Sequence, residues 1–509
     1  MVFLRFLGGL TLGLAWNSAS AVRAAEEPTL SNIDKPSKYR PINCVIVGGG
    51  FSGGKLAYYL DSIFKVTLID TKNYQENSDF VVDLISKPWD DSTHNALAEH
   101  SHVLHRFYLK RTNVVTARAA ALNEDHVILN DGRSIPFDIA FVTVGEQKSF
   151  PLASSQRTMR GRVEELKHFN QFLDGCKKVA VVGGGPRGVS LAAALGEFRP
   201  NLQIDLFQSR PDLMPQSPVI ARNGALNHFR LLRNVSINLA TRVDEIVAER
   251  CSGAPPSTTR LLSSILGMTN AAVPQSYSLK VSRLHCELPP PQSILHQAYF
   301  GQHERRPENV QVTETEEKGG YDYVFNCCGN TTRPLTGVLD NGKRVPNMLS
   351  AHETADGHYR CSIFQNLMGT PYIFAVGRCN NLPLVRGYGS SDYETRALFR
   401  SITSIIHSQA SEKFLDNSDE IRLRRYPSPR LLVKLGTANA TGSTAWGGAM
   451  YGPLALKEYK KEMDYLVKEF LFPVFYKQQW LDLVFARITN WKASEITDVV
   501  DFNHSENLC

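Results

Sequence analysis

Four things are missing from this 509-residue chain, and each absence removes a class of function. There is no C-x-x-C pair, and the adjacent Cys327 and Cys328 have no His or Cys partners at zinc spacing, so no metal site is expected. The nine cysteines are odd in number, scattered, and set mostly in apolar strand-like sequence such as "NCVIVGGG" and "VFNCCGN". That pattern predicts buried thiols packed in the core and no disulfide framework. No apolar run is long enough to span a bilayer. There is no dense Lys/Arg tract with interleaved aromatics, and a net charge of +6 is small for this length, so no nucleic-acid partner is expected. What is present is ordinary for a folded protein: 42% hydrophobic and 21% charged residues, with room for roughly two to four domains.

Residues 42–70 read "INCVIVGGGFSGGKLAYYLDSIFKVTLID": a short strand, then Gly48-x-Gly50-x-x-Gly53, a helical stretch, and a second strand ending in Asp70. A dinucleotide site needs a glycine at 48 for the tight turn and at 50 so that the backbone can approach a pyrophosphate. It needs one at 53 for close packing of helix on strand. The amino end of the helix offers donors and positive potential to the phosphates, and Asp70 is placed to accept hydrogen bonds from the adenosine ribose. The pattern recurs at 177–209, "KKVAVVGGGPRGVSLAAALGEFRPNLQIDLFQS", with Gly183, Gly185 and Gly188. Two units predict two dinucleotides. The second strand of the repeat ends in Gln208, Ser209 and Arg210, neutral and basic groups that can accommodate a 2′-phosphate, so NADPH stands beside NADH as the expected nicotinamide form.

Between the loops, Asn130-Asp131-Gly132 separates two alternating runs and predicts a β-hairpin, followed by a return strand from Ile139 to Val144 that reaches Gly145. A second return strand, "YDYVFNCCGN", leads to Gly329, and a third, in "PYIFAVGRCNN", leads to Gly377.

In this order the landmarks "VIVGGGFSGGKLAYYL", "VTLIDTKNY", "FDIAFVTVGE", "VAVVGGGPRGVSLAAAL" and "LLVKLGTANATGSTAWGGAMYGPLALKEYKK" resemble the two-dinucleotide-binding-domain flavoproteins of the pyridine nucleotide oxidoreductase superfamily. Within it the chain is similar to the apoptosis-inducing-factor-like ferroptosis suppressors and the type II NADH dehydrogenases. The resemblance covers roughly residues 42–250 and 320–470. It implies an α/β fold with two Rossmann-like domains, the second inserted in the first, and a C-terminal α+β region. The expected boundaries are 40–150 with 321–410 for the FAD domain, 151–320 for the NAD(P) domain, and 424–509 for the C-terminal interface or membrane-associating region.

The resemblance also implies FAD on the first unit, at Gly48, Gly50, Phe51, Ser52, Gly53, Asp70, Lys72, Gly145, Gly377 and Arg378. It implies NADPH or NADH on the second, at Gly183, Gly185, Gly188, Ser209 and Arg210. The implied activity passes electrons from the nicotinamide through flavin to a quinone-like acceptor at a membrane surface. Subunit partners or a homodimer complete the expected partners.

Three places depart from the family's pattern, the mildest being Thr143-Val144-Gly145 where Ala-Thr-Gly is usual. Arg378 stands where an aspartate usually accepts a hydrogen bond from the flavin ribitol, and arginine has no acceptor lone pair. It is expected either to reach a phosphate or donate to a ribitol oxygen, or to mark lost flavin chemistry. Ser190 stands where a glutamate is common. The alternative function is therefore a catalytically degenerate relative serving as a structural subunit of a mitochondrial membrane complex. Disulfide reductases of the superfamily need a thiol pair near the flavin on the first unit, and no cysteine lies between Cys44 and Cys176. With the cofactors carrying the chemistry, no catalytic residue is assigned.

Four further stretches carry expectations. Histidines 94, 100, 102 and 105 are read as surface or packing residues. Residues 252–319, rich in Pro, Ser and Thr, are read as a partly disordered insertion in the second unit. Ser391-x-x-Glu394 is a capping box that opens a helix. In the tail, Leu456, Tyr459, Met463, Leu466, Val467 and Phe470 recur at helical spacing until Pro473, opposite a lysine-rich face. That helix either docks on the core or lies in a membrane interface with Phe472, Phe475, Tyr476 and Trp480.

At the amino end, Arg5, an apolar segment over 6–16, Ala19-Ser20-Ala21 and the lack of any acid before Glu26 mark residues 1–25 as a targeting segment. A mitochondrial destination is expected, with the secretory pathway or endoplasmic reticulum as the alternative.

Overall fold

The computed structural model describes residues 42–249, 276–287, 308–402 and 431–471, with gaps inside them of which 382–390 is the longest. Residues 1–25, read above as a targeting segment, residues 252–275, and the tail from Phe472 onward lie outside the described residues.

Two parallel sheets organise the chain, as the α/β reading requires. In the first, the order is Ile373–Ala375, Ile139–Val142, Asn43–Val47, Lys65–Asp70, Asn113–Thr116. In the second it is Val235–Asn238, Gln203–Phe207, Lys178–Val182, Tyr323–Asn326. Every pairing in both sheets is parallel. Parallel strands are covered on both faces, and this is why their sequences run almost continuously apolar: Cys44, Val45, Ile46, Val179, Ala180 and Val181 are all fully buried. The first sheet takes its last strand from chain that lies beyond the whole of the second, so the second unit is inserted in the first. Phe141 and Phe374 stack at 5.2 Å across that late pairing.

Each sheet carries a three-stranded antiparallel appendage. The first, Ala119–Leu122, His126–Leu129 and Ser134–Pro136, contains the expected hairpin, with Gly132 in the left-handed region at φ +89°. The second consists of Thr241–Glu249, Ser276–Glu287 and Glu308–Tyr321. The described parts of the insertion read as partly disordered, 276–287 and 308–319, are strand. Leu279 and Val281 alternate into a buried cluster with Phe207 and Tyr321, an apolar period hidden in the sequence by the flanking Pro and Ser.

The C-terminal region is α+β. Strands Leu431–Leu435, Asn439–Ser443 and Ala449–Gly452 pair antiparallel and lead into the helix Pro453–Leu471. Lys434 Nζ bonds both oxygens of Asp83 at 2.7 and 2.5 Å, and the Thr437 N–H donates to Glu197 Oε2 at 2.8 Å. Ala455, Leu456 and Met463 are buried, so the part of the helix whose side chains are described uses its apolar face against protein. Among the described residues, no helix is long and apolar enough to cross a membrane.

Candidate functional site: two glycine loops

The two glycine loops are built alike, atom for atom. Gly48 and Gly183 adopt φ +105° and +109°, and each N–H donates to the strand-end carbonyl beside it, Ile69 or Phe207, at 2.8 Å. A Cβ on Gly48 would lie 2.6 Å from the Thr143 carbonyl oxygen, and one on Gly183 2.9 Å from the Cys327 carbonyl carbon. A Cβ on Gly53 or Gly188 would come within 1.9 or 1.8 Å of the first glycine's oxygen, so only glycine lets helix and loop close. The middle glycines differ from these: a Cβ on Gly50 or Gly185 would meet nothing within 4 Å.

Those open positions are the N-caps of helices Phe51–Leu60 and Pro186–Phe198. Neither N-cap contributes a side-chain hydrogen bond, and neither first turn contains an acid. The positive end of each helix dipole thus faces that open space with no acid in the first turn to offset it. Open space over uncapped donors is the cradle a pyrophosphate fills, and both loops fit a dinucleotide.

Around the first loop the structure gathers most of the residues expected there. Asp70 ends its strand with its side chain 15% exposed and its Oδ2 2.5 Å from where a Cβ on Gly49 would lie. Phe51 and Ser52 form the first turn of the loop's helix, and Gly377, at φ +78°, packs so closely on Ser52 that a Cβ would meet its Oγ at 2.7 Å. Gly145, at φ +70°, opens on free space just past the end of the Ile139–Val142 strand, where Thr143 backs the loop and its Oγ1 donates to the Gly48 oxygen at 2.7 Å. Lys72 turns elsewhere. Its ammonium reaches Glu76 Oε2 at 3.2 Å and lies 5.3 Å from the centre of the Tyr74 ring.

Glu76 belongs to a buried ion cluster beneath the site. The Arg162 guanidinium, fully buried, donates to Glu76 at 2.9 Å, Glu165 at 2.7 Å and the Pro151 carbonyl at 2.7 Å. Burial opposes ionisation of Glu76, but Arg162, His102 and Lys72 outweigh it and hold the carboxyl well below its usual range.

Arg378 does not stand alone. Its Nη1 donates to Glu146 Oε1 at 2.6 Å, and Arg187 Nη1 lies 3.6 Å from Glu146 Oε2. The Glu146 side chain is 2% exposed, so one buried carboxylate is shared by a guanidinium after the last strand of the first sheet and another in the first turn of the second loop's helix. A carboxylate therefore stands beside position 378, contributed from 232 residues away. Lys55, buried in the first loop's helix, pairs with Asp392 in the helix that begins by Ser391, whose Glu394 accepts from Asn380 Nδ2 at 2.9 Å.

At the second loop, Gln208 occupies the place Asp70 holds at the first. Its Oε1 accepts from the Gly184 N–H at 3.2 Å and its Nε2 donates to the Asp212 carbonyl at 3.1 Å, so the side chain is folded into the loop. Ser209 is exposed, and Arg210 and Ser190 are half-buried.

Sequence reasoning missed three residues. His105 is fully buried, with Nε2 3.1 Å from Asp70 Oδ2 and Nδ1 2.9 Å from the Tyr108 hydroxyl. The packing reading of the histidines holds for His94, stacked on Trp89 at 4.2 Å, but His105 lies at the site. Glu146 and Arg187 were the others. Nothing local marks any of the three, because each meets its partner across tens to hundreds of residues. The cysteine reading holds for Cys44, Cys361 and Cys379, which are buried thiols, but Cys176 and Cys327 are only partly buried and Cys328, just past the end of its strand, is exposed. Burial pushes the Cys327 thiol up to about 12, away from thiolate chemistry. Among the described residues, no group of three His, Cys, Asp or Glu could hold a metal.

Two parallel sheets, each opening on an anion-ready glycine loop, define an FAD/NAD(P)-binding oxidoreductase fold. Residues 42–261 match the family described as pyridine nucleotide-disulphide oxidoreductase, and the chain carries this domain. It is 24% identical over 208 residues to apoptosis-inducing factor homolog A of Dictyostelium discoideum, covering 39% of this chain and 49% of that one. It is 22% identical over 219 residues to ferroptosis suppressor protein 1 of Homo sapiens, covering 40% and 54%. The chain thus spans about half the length of these relatives. In fold it is similar to the sulfide:quinone oxidoreductase of Aquifex aeolicus, with a TM-score of 0.55 at 13% identity over 88% of this chain and 96% of that one. It is also similar to NDH2 from Plasmodium falciparum in complex with NADH, with a TM-score of 0.50 at 13% identity over 89% and 100%.

Proposed function

We propose that the chain is an FAD-dependent NAD(P)H oxidoreductase that passes electrons to a quinone-like acceptor. The observation that carries this is the repeat of one Cβ-excluding glycine geometry at two uncapped, acid-free helix starts. FAD is assigned to the first loop, with Gly48, Gly50, Phe51, Ser52 and Gly53 cradling the pyrophosphate and Asp70 accepting from the adenosine ribose. Gly145, Gly377 and Arg378 would line the flavin side. NADPH or NADH is assigned to Gly183, Gly185 and Gly188, with Ser209 and Arg210 at the ribose edge. The bound cofactors would supply the redox chemistry. The chain's own groups bind and orient them, and the Arg378–Glu146–Arg187 cluster ties the flavin side to the second loop's helix.

The acceptor rests on the likeness to a protein named a sulfide:quinone oxidoreductase. The expected domain boundaries are part of this proposal, as are a mitochondrial location and a peripheral membrane or subunit contact through 424–509. A second reading, a degenerate structural subunit, is favoured by Arg378, because its guanidinium is engaged with Glu146 where the resemblance implies a flavin-facing acid.

The absorbance spectrum of the purified chain, taken before and after anaerobic NADPH or NADH, separates the two. A flavin spectrum that bleaches supports the oxidoreductase, and turnover with quinones then tests the acceptor. A colourless protein that FAD cannot reconstitute moves the assignment to the structural subunit. Arg210→Ala tests the nicotinamide form: a roughly tenfold loss of NADPH affinity with NADH unchanged identifies a 2′-phosphate contact.

A further inference from the structure

A single helical turn, His105–Tyr108, is wedged beneath the first glycine loop. It is anchored by the His105 N–H donating to the Asn73 carbonyl at 3.0 Å, and its ring is fully buried with both nitrogens engaged. The carboxylate of Asp70 can only accept, so Nε2 carries the proton in that 3.1 Å contact. On the other side of the ring, Nδ1 lies 2.9 Å from the Tyr108 hydroxyl. A Cβ on Gly49 would meet Asp70 Oδ2 at 2.5 Å and His105 Nε2 at 2.6 Å, and one on Gly54 would meet the Tyr108 hydroxyl at 2.4 Å. Loop, carboxylate, imidazole and phenol are therefore in one rigid stack. With Oδ2 held by the ring, Oδ1 accepts, among the described residues, from the Thr71 hydroxyl at 3.5 Å.

We infer that His105 is a positioning residue for nucleotide binding at the first loop: it holds the Asp70 carboxylate in the orientation that receives the ribose hydroxyls of an adenine dinucleotide. This rests on the assignment of FAD to that loop. A carboxylate already fixed by a second hydrogen bond loses less freedom on binding, so the contact to ribose is worth more than a free side chain would give. Tyr108 extends the same support by holding the imidazole.

The test is a double-mutant cycle on FAD affinity, read by quenching of flavin fluorescence in the full chain. Asp70→Ala and His105→Ala should each weaken FAD by roughly tenfold, and the double variant should be no weaker than Asp70→Ala within about twofold. His105→Gln, whose amide can still donate to Asp70, should stay within about threefold of wild type. Should His105→Ala fail to fold, Tyr108→Phe removes the far hydrogen bond without opening a cavity, and a loss of about threefold that disappears in the Asp70→Ala background makes the same point. Losses that multiply while wild type binds FAD normally would overturn the inference alone, since they would show that His105 only packs. A wild-type protein that takes up no FAD would overturn the inference together with the assignment beneath it.

Discussion

The two strand ends beside the glycine loops share a backbone and differ in what they do with it. At the first, an acid is held from behind by a buried imidazole and remains partly exposed over the loop. At the second, an amide of similar reach turns inward and bonds the loop's own N–H and the following turn. One end leaves its side chain partly exposed, and the other spends it on its own loop. The same glycine-loop geometry thus recurs beside two strand ends whose side chains point to different uses, an acid partly open at the first and an amide tied into its loop at the second.

The comparison can be broken hardest beneath the first site. Arg162→Ala would strand Glu76 and Glu165 in a buried position and should cost about 3–5 kcal/mol, measured by chemical denaturation. The same cluster gives a pH dependence. Because the folded Glu76 carboxyl is held below its unfolded value, its contribution is complete above about pH 5 and is lost as pH falls through and below the ordinary glutamate range near 4.3. The wild-type melting temperature should drop on that acid limb, and Arg162→Ala should flatten it.

Next in size, Gly53→Val and Gly188→Val should each destabilise by about 2–3 kcal/mol. Gly53→Val should abolish flavin content, whereas Gly188→Val should abolish only nicotinamide binding. Loss of both ligands in either variant would show that the loops are not independent. Glu146→Ala, which leaves two guanidiniums facing each other, should cost about 2 kcal/mol, with Glu146→Gln losing less. The smallest effect sharpens the contrast: Gln208→Ala should lower stability by about 1 kcal/mol, and Asp70→Asn should leave stability nearly unchanged while weakening FAD.

Local pattern carried the frame of this molecule into the sequence. The glycine loops, their flanking strands, the Asn130-Asp131-Gly132 turn and Asp70 are legible because turn chemistry and apolar runs act over a few residues. The parts that were not legible depend on distance along the chain. Glu146 meets Arg378 across 232 residues, and no periodicity could announce that pair. His105 resembled its neighbours in "HNALAEHSHVLH", and only the fold distinguishes the one that reaches Asp70. The strands at 276–287 and 308–321 were hidden because only a few buried side chains, Leu279 and Val281 among them, carry their alternation.

The order of the first sheet also sets a timetable for synthesis. Cys379 Sγ bonds the Val142 carbonyl from 237 residues further on, and the strand that covers that edge is made just before it. At roughly 5–20 residues per second, a ribosome leaves the 139–142 edge uncovered for about 10–50 s, while the whole second unit emerges. Throughout that interval an apolar strand presents unpaired N–H and C=O groups to any passing chain. Slowing the late strand should therefore cost yield in the cell before it costs stability in the tube.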